Sequence, residues 1–298
     1  MEIFAAVLML AGLAQGAPAA AEPSVSAGWL REHLDDPGLV LLHVGPKAAF
    51  ESGHVPGAQL VLPGDLAVPR AEGALQLQLL PPDALREKLE LLGVGDASRV
   101  VVYAAEGWIT PATRVLFALD AGGVGERASL LEGGLEAWKA AGFPVSAELR
   151  PRARAELHAR PRPELVADLD AVKASLGAPG VAIVDARLER FFSGADPGSM
   201  PRAGHIPGAR SLPFSSLLRP DGGLRDDAEL AAAFRASGVG PNDAVISYCH
   251  IGQQATLVYL VAKRLGHPAR VYDGSWEEWS RSSELPIAIQ PPGERAKD

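Results

Sequence analysis

This chain very nearly contains itself twice. Gly53-His-Val-Pro-Gly-Ala58 returns as Gly204-His-Ile-Pro-Gly-Ala209. Gly93-Val-Gly95, leading into Val100-Val-Val-Tyr103, returns as Gly238-Val-Gly240 leading into Val245-Ile-Ser-Tyr248. Leu131-Glu-Gly-Gly-Leu-Glu-Ala-Trp138 returns as Tyr272-Asp-Gly-Ser-Trp-Glu-Glu-Trp279. The order is the same in both halves, which chance seldom produces, so the fold is two copies of one domain. A length of 298 residues suits two domains of ordinary size, and 47% hydrophobic content can fill two cores.

Within each copy, short apolar runs at 40–44, 100–103, 181–185 and 245–248 alternate with helical patterns. Residues 83–92 form one helix ended by Gly93, and 227–236 form its counterpart ended near Gly238. Strands alternating with helices predict an α/β fold: a mainly parallel sheet in each copy, flanked by helices on both faces. The boundaries expected are 22–148 for the first domain and 164–290 for the second. Residues 149–163, Leu-Arg-Pro-Arg-Ala-Arg-Ala-Glu-Leu-His-Ala-Arg-Pro-Arg-Pro, lack apolar periodicity and read as an extended, solvated linker.

The only cysteine, Cys249, ends the strand 245–248. A Gly-containing turn and a helix over 255–264 follow, and Gly266 and Pro268 stop that helix. A thiol at a strand end and over a helix amino end meets unpaired backbone N–H groups and a favourable dipole. Such a setting favours thiolate, the form that attacks sulfur or carbon. A lone cysteine is more often a small core residue, but this placement shifts the balance toward a nucleophile. Asp185-Ala-Arg187 follows the strand 181–185 and shares the carboxyl ends of the strands with Cys249, where ligand sites lie in such sheets.

The other function classes thin out quickly. A net charge of −8 and the lack of a basic stripe argue against nucleic acid. One cysteine excludes an internal disulfide and any multi-cysteine metal site, and the seven histidines show no ligand-like spacing. The apolar amino end, followed by Ala19-Ala-Ala21, has the layout of a signal peptide over residues 1–21, although Glu2 stands where a positive residue is usual. It is too short to span a membrane. Periplasmic or secreted localisation is therefore expected, and cytoplasmic otherwise, with no stable membrane insertion once the signal is removed.

Two stretches carry a resemblance. Phe50-x-x-x-His54-Val-Pro-Gly-Ala58 resembles the amino-terminal signature of the rhodanese superfamily, and Val271-Tyr-Asp-Gly-Ser-Trp-Glu-Glu-Trp279 its carboxyl-terminal one. With the cysteine loop, the match extends from about Val25 to Pro286 and is similar to the tandem-domain, thiosulfate sulfurtransferase-like members. The resemblance implies two three-layer α/β domains, of which only the second catalyses. This sequence has that asymmetry: Ala104 stands opposite Cys249, and His43-Val-Gly45 opposite Asp185-Ala-Arg187.

The resemblance also implies a mechanism. Cys249 takes the outer sulfur of thiosulfate as a persulfide and passes it to a small thiophilic acceptor, cyanide or a thiol, with no metal, nucleotide or organic cofactor. The amides from His250 to Thr256, through Ile251, Gly252, Gln253 and Gln254, are expected to hold the charge, and Arg187 to hold the donor's oxygens. Asp185 is expected to orient Arg187 or the loop. His250 is either a pH-dependent donor or an exposed loop residue, and Trp276 either a pocket wall or a core aromatic. The neutral loop leaves 3-mercaptopyruvate open as the donor. Repetition of His54 and Pro56 as His205 and Pro207, in an inactive as well as an active copy, marks them as turn elements. A related phosphatase is excluded because the loop lacks an Arg. A redox thiol protein is disfavoured because no resolving cysteine exists. A carrier that only shuttles persulfide stays open.

Overall fold

The computed structural model describes residues 21–290. Residues 1–20, which hold all but the last residue of the expected signal and its cleavage sequence, lie outside them. The first domain holds β1 (Ser24–Val25), α1 (Ala27–His33), β2 (Leu39–Val44), α2 (Lys47–Ser52), β3 (Gln59–Val61), α3 (Pro82–Leu91), β4 (Arg99–Ala104), α4 (Thr110–Ala121), β5 (Ala128–Leu131) and α5 (Gly134–Ala140). The second repeats the series: β6 (Val166–Ala167), α6 (Leu169–Ala174), β7 (Val181–Asp185), α7 (Glu189–Phe192), β8 (Arg210–Ser211), α8 (Asp227–Ala236), β9 (Ala244–Tyr248), α9 (Ala255–Arg264), β10 (Ala269–Tyr272) and α10 (Ser275–Arg281). Each sheet has five strands, in the orders β1-β5-β4-β2-β3 and β6-β10-β9-β7-β8, and every pairing is parallel.

Burial explains the continuous apolar runs. Along β2, Val40, Leu42 and Val44 enter one core cluster while Leu39 and Leu41 enter another, so both faces of the sheet are covered. The outer face of the first sheet packs on α1 and α5 through Leu30, Leu135 and Trp138. That of the second packs Tyr248 and Tyr272 against Trp276 and Trp279. The inner faces share one cluster to which α3, α4, α8 and α9 all contribute. Helix α4 lies against α9, with Phe117 edge-on to Tyr259 at 5.0 Å and the Thr113 and Thr256 hydroxyls 2.8 Å apart. The domains are thus joined through a common core.

Residues 149–163 lie mostly exposed, as expected of an extended, solvated linker. They run without regular structure for most of their length but are strapped to the first domain. Arg154 pairs with Glu90 at 2.6 Å, Arg152 donates to the carbonyl of Leu39, Arg162 pairs with Asp120 at 3.0 Å, and Leu157 is buried. Arg152, Arg154 and Arg162 thereby tie an otherwise exposed stretch to the domain surface. Among the described residues no helix is long and apolar enough to cross a membrane.

The repeated Gly-His-[Val/Ile]-Pro-Gly-Ala turns do the same work twice. Each His stacks on a Phe, His54 on Phe50 and His205 on Phe192, and its Nδ1–H donates to that residue's carbonyl. The following amides, of Val55 and Ile206, donate to the hydroxyls of Tyr103 and Tyr248 at the sheet ends. A shared latch of this kind accounts for the motif's presence in both copies.

Candidate active site

Because β9 lies between β10 and β7, Cys249 is flanked by Asp273-Gly-Ser275 on one side and Asp185-Ala-Arg187 on the other. The thiol is free and 1% exposed. Three carbonyls of its loop are held from outside. Cys249 O accepts from Trp276 N–H and His250 O from Glu277 N–H, both at 2.9 Å, at the amino end of α10, and Gly252 O accepts from Arg114 at 3.2 Å. In a trans peptide the N–H points opposite to the C=O, so the amides of His250, Ile251 and Gln253 are turned away from these clamps. Among the described residues the N–H groups of His250 through Gln254 make no hydrogen bond. Five free amides thus precede the first turn of α9, the kind of donor set that suits an anion. The expected series extended to Thr256, but its N–H is already given to Gln253 O.

Gly252 has φ +80°, and a Cβ there would come within 3.0 Å of the Asp273 carbonyl. Only glycine lets the loop turn this tightly against β10. Ser275 also sits at positive φ, +52°, where its hydroxyl accepts from Cys249 N–H and donates to Tyr272 O.

Arg187 is less open than a substrate clamp drawn from sequence. It is 1% exposed, and its Nε and Nη2 grip both oxygens of Asp185 at 2.6–3.1 Å while Nη2 also reaches Gly204 O. Its guanidinium lies 4.6 Å over the Trp276 ring. Burial would lower its pKa, and the Asp185 carboxylate more than offsets this, so the guanidinium stays charged. Among the described residues no hydrogen bond engages Nη1. Trp276 is fully buried and backs Arg187, so it is a core aromatic and not a pocket wall.

His250 is half-buried and edge-on to Phe191 at 4.6 Å. Burial, and then the charge of Arg187, push its pKa down to about 4, so it is a neutral ring at neutral pH and not the loop's cation. Ile251 packs against the outer core of the second domain, and Gln253 Nε2 donates to Thr110 Oγ1 of the first. Gln254 is half-buried just before α9.

Several neighbours escaped the sequence reading. Arg190 lies 4.3 Å over the Phe191 ring and pairs with Asp196, placing an exposed cation near His250. Arg114 and residues 67–80 come from the first domain, where no local signal ties them to a loop more than a hundred positions away. Only the asymmetry of the repeat, an arginine on α4 where α9 has Leu257, could have raised Arg114.

The first domain's counterpart is small and bordered by carboxylates. Ala104, Gly107, Gly133 and Gly134 line a space of about 30 Å³ together with Glu106, Asp221 and Gly222. His43, at the place of Asp185, is fully buried, with Nδ1 bonded to Tyr103 and Nε2 unpartnered. Burial pushes its pKa to about 4. His43 and His250 thus bind protons less readily folded than unfolded, and stability falls as pH drops from about 6.5 toward 4. At 1.36 kcal/mol per pKa unit, the His43 shift alone is on the order of 3 kcal/mol, most of it expressed by pH 5. Urea denaturation at pH 7 and pH 5 checks this. His43→Leu is expected to shrink the difference, and an unchanged difference would remove His43 as its source.

Comparison with known proteins adds the family. The rhodanese-like domain matches twice, over residues 26–141 and 168–282. The chain is 34% identical over 269 residues to the thiosulfate sulfurtransferase of Azotobacter vinelandii, covering 87% of this chain and 94% of that protein. It is 35% identical over 246 residues to the probable 3-mercaptopyruvate sulfurtransferase of Pseudomonas aeruginosa, covering 80% and 85%. Among solved structures it is similar to the anaerobic ergothioneine biosynthesis enzyme from Chlorobium limicola in complex with trimethyl histidine. There the identity is 26% and the TM-score 0.81, over 91% of this chain and 71% of that one. Two parallel-sheet domains, each matching the same family model, and relatives of this identity make the chain a member of the tandem rhodanese-like sulfurtransferases.

Proposed function

We propose that this sulfurtransferase moves the sulfane sulfur of thiosulfate to cyanide or a thiol through a persulfide on Cys249. The observation that carries the reading is a buried thiol set against five free backbone amides, with the guanidinium of Arg187 beside it. The Cys249 thiolate attacks the outer sulfur, the S–S bond of thiosulfate breaks, and sulfite leaves with the bonding pair. The new Cys–S–S⁻ carries its charge on the terminal sulfur, which the amides from His250 to Gln254 receive. Cyanide then attacks that sulfur, thiocyanate departs, and the thiolate is restored. Atoms and electrons balance over the two steps, so no cofactor is required. Arg187, and Arg190 at the rim, supply the cations for a doubly charged donor.

A second reading has its own observation. His250 is neutral and Asp185 offsets Arg187, which suits a singly charged donor such as 3-mercaptopyruvate. Parallel assays with the two donors and cyanide as acceptor separate the readings. A kcat/KM for thiosulfate at least about tenfold above that for 3-mercaptopyruvate is expected. The reverse order makes the neutral loop the determinant. No turnover of either, with Cys249 still alkylated, would leave a persulfide carrier.

A further inference from the structure

We propose that Arg114, on the first domain, is a positioning residue for Cys249 in the second. This rests on Cys249 being the sulfur-carrying residue. Arg114 is 2% exposed and joins three segments at once. Its Nη1 donates to Gly252 O at 3.2 Å, and its Nη2 donates to Asp273 Oδ1 at 2.7 Å and to Leu77 O. Gly252 belongs to the cysteine loop, Asp273 ends the neighbouring strand β10, and Leu77 lies on the arm over residues 67–80.

The arm is drawn onto the same junction. Leu79 N–H donates to Asp273 Oδ2 at 2.7 Å, and Gln78 Nε2 to Asp273 O at 3.0 Å. Gln76 N–H donates to Glu277 at 2.8 Å, and Glu277 in turn holds His250 O through its own N–H. Arg281 links Glu277 to the carbonyls of Gly73 and Ala74.

The asymmetry of the repeat shows what Arg114 is for. If it only glued the domains, the pseudo-equivalent position on α9 would serve as well with a similar residue. That position, matched through Thr113 with Thr256 and Gly123 with Gly266, is Leu257, a fully buried apolar side chain that has no donor for the loop after Ala104. The two hairpins differ likewise. In the first domain the bridge Ala67–Leu79 encloses eleven residues that reach α10, and in the second the bridge Leu218–Leu224 encloses five. The catalytically silent copy therefore carries both the clamp and the longer arm, and both are spent on the loop of Cys249.

Chemically, the clamp fixes the Gly252–Gln253 peptide. With its carbonyl held by Arg114, the Gln253 N–H is committed to the opposite side, alongside the other free amides. The charge of Arg114 is answered by Asp273, so its contribution is geometric preorganisation of donors that receive the persulfide. Loss of the clamp lets that peptide rotate, and the cost falls on the sulfur-transfer step more than on donor binding at Arg187.

The test uses Arg114→Met and Arg114→Lys in the full chain. Steady-state kinetics with thiosulfate and cyanide are measured, along with the rate of Cys249 alkylation by iodoacetamide at pH 7 and thermal unfolding. Arg114→Met is expected to lower kcat by about tenfold or more, as misplacement near 1 Å does, with KM changed less than about twofold. Alkylation is expected to slow in parallel. A single ammonium cannot serve all three acceptors, so Arg114→Lys is expected to recover part of kcat. Wild-type kcat and alkylation in a folded Arg114→Met overturn the proposal, and so does a loss confined to KM. If Arg114→Met does not fold, Arg114→Lys decides: a lowered kcat supports the clamp, and a wild-type kcat overturns it. Alkylation needs no donor, so a failure of the thiosulfate reading leaves that arm of the test intact.

Discussion

Cys249→Ser is expected to abolish sulfur transfer from every donor, by at least about a thousandfold in kcat/KM, the scale on which loss of an enzyme's nucleophile registers. A hydroxyl fits where the thiol lies, so folding should be retained. The reaction fails for a chemical reason: at neutral pH the serine is neutral and no neighbour is placed to ionise it, His250 being turned into an apolar contact with Phe191. Moving the thiol to the other copy is not expected to help. Ala104→Cys in the Cys249→Ser background places sulfur at the matching strand end, yet Gly45 stands where Arg187 would be, and Glu106 and Asp221 border the space. An anionic donor meets the Glu106 carboxylate there, the one nearby guanidinium, Arg219, is already paired with Asp221, and none stands at the place of Arg187. Thiocyanate formation measured on both variants decides the matter. Turnover by Cys249→Ser removes the persulfide scheme, and turnover by the double variant removes the claim that the first site lacks more than its nucleophile.

How much of this could be read beforehand follows from the range over which each signal acts. The repeat and the long buried strands were legible, because a doubly covered parallel strand writes itself as an unbroken apolar run, as in Val100-Val-Val-Tyr103. Helix α9 was legible because Gly266 and Pro268 punctuate it. The two-residue strands β1, β6 and β8 were not, since so short an element leaves no periodicity and exists only by pairing with a longer neighbour. At the site, Cys249 and its amide loop are contiguous in sequence and were found together. Arg114, Asp273 and the 67–80 arm are brought in only by docking of the domains, which no local pattern encodes. The character of Arg187 and His250 depends on burial. Arg187, read as a clamp for the donor, is also packed against Trp276 and locked to Asp185, and His250, read as either a pH-dependent donor or an exposed loop residue, is a half-buried neutral ring against Phe191.

That burial changes what replacing Arg187 should do. Arg187→Ala is expected to destabilise the fold by about 3–5 kcal/mol, because it leaves the fully buried Asp185 carboxylate without its bidentate partner. It also strips a donor from Gly204 O in the turn that carries His205. The same substitution is expected to lower kcat/KM by about 10–150-fold through loss of a charged hydrogen-bond donor to the substrate, at 1.5–3 kcal/mol for such a bond. A double variant separates the two effects. Asp185→Leu with Arg187→Met replaces the pair by apolar side chains of similar bulk, and such replacements are often neutral or stabilising. Stability by urea denaturation should then recover most of what Arg187→Ala loses, while kcat/KM stays low, since the charge is still missing. If activity returns with stability, Arg187 is only a buttress for the strand end, and Arg190 with the loop amides holds the donor alone. If Arg187→Ala leaves stability untouched, the Asp185 carboxylate is not held as the geometry has it. The expected result, stability restored without activity, assigns the arginine both tasks and explains why a substrate-facing cation is packed so deeply.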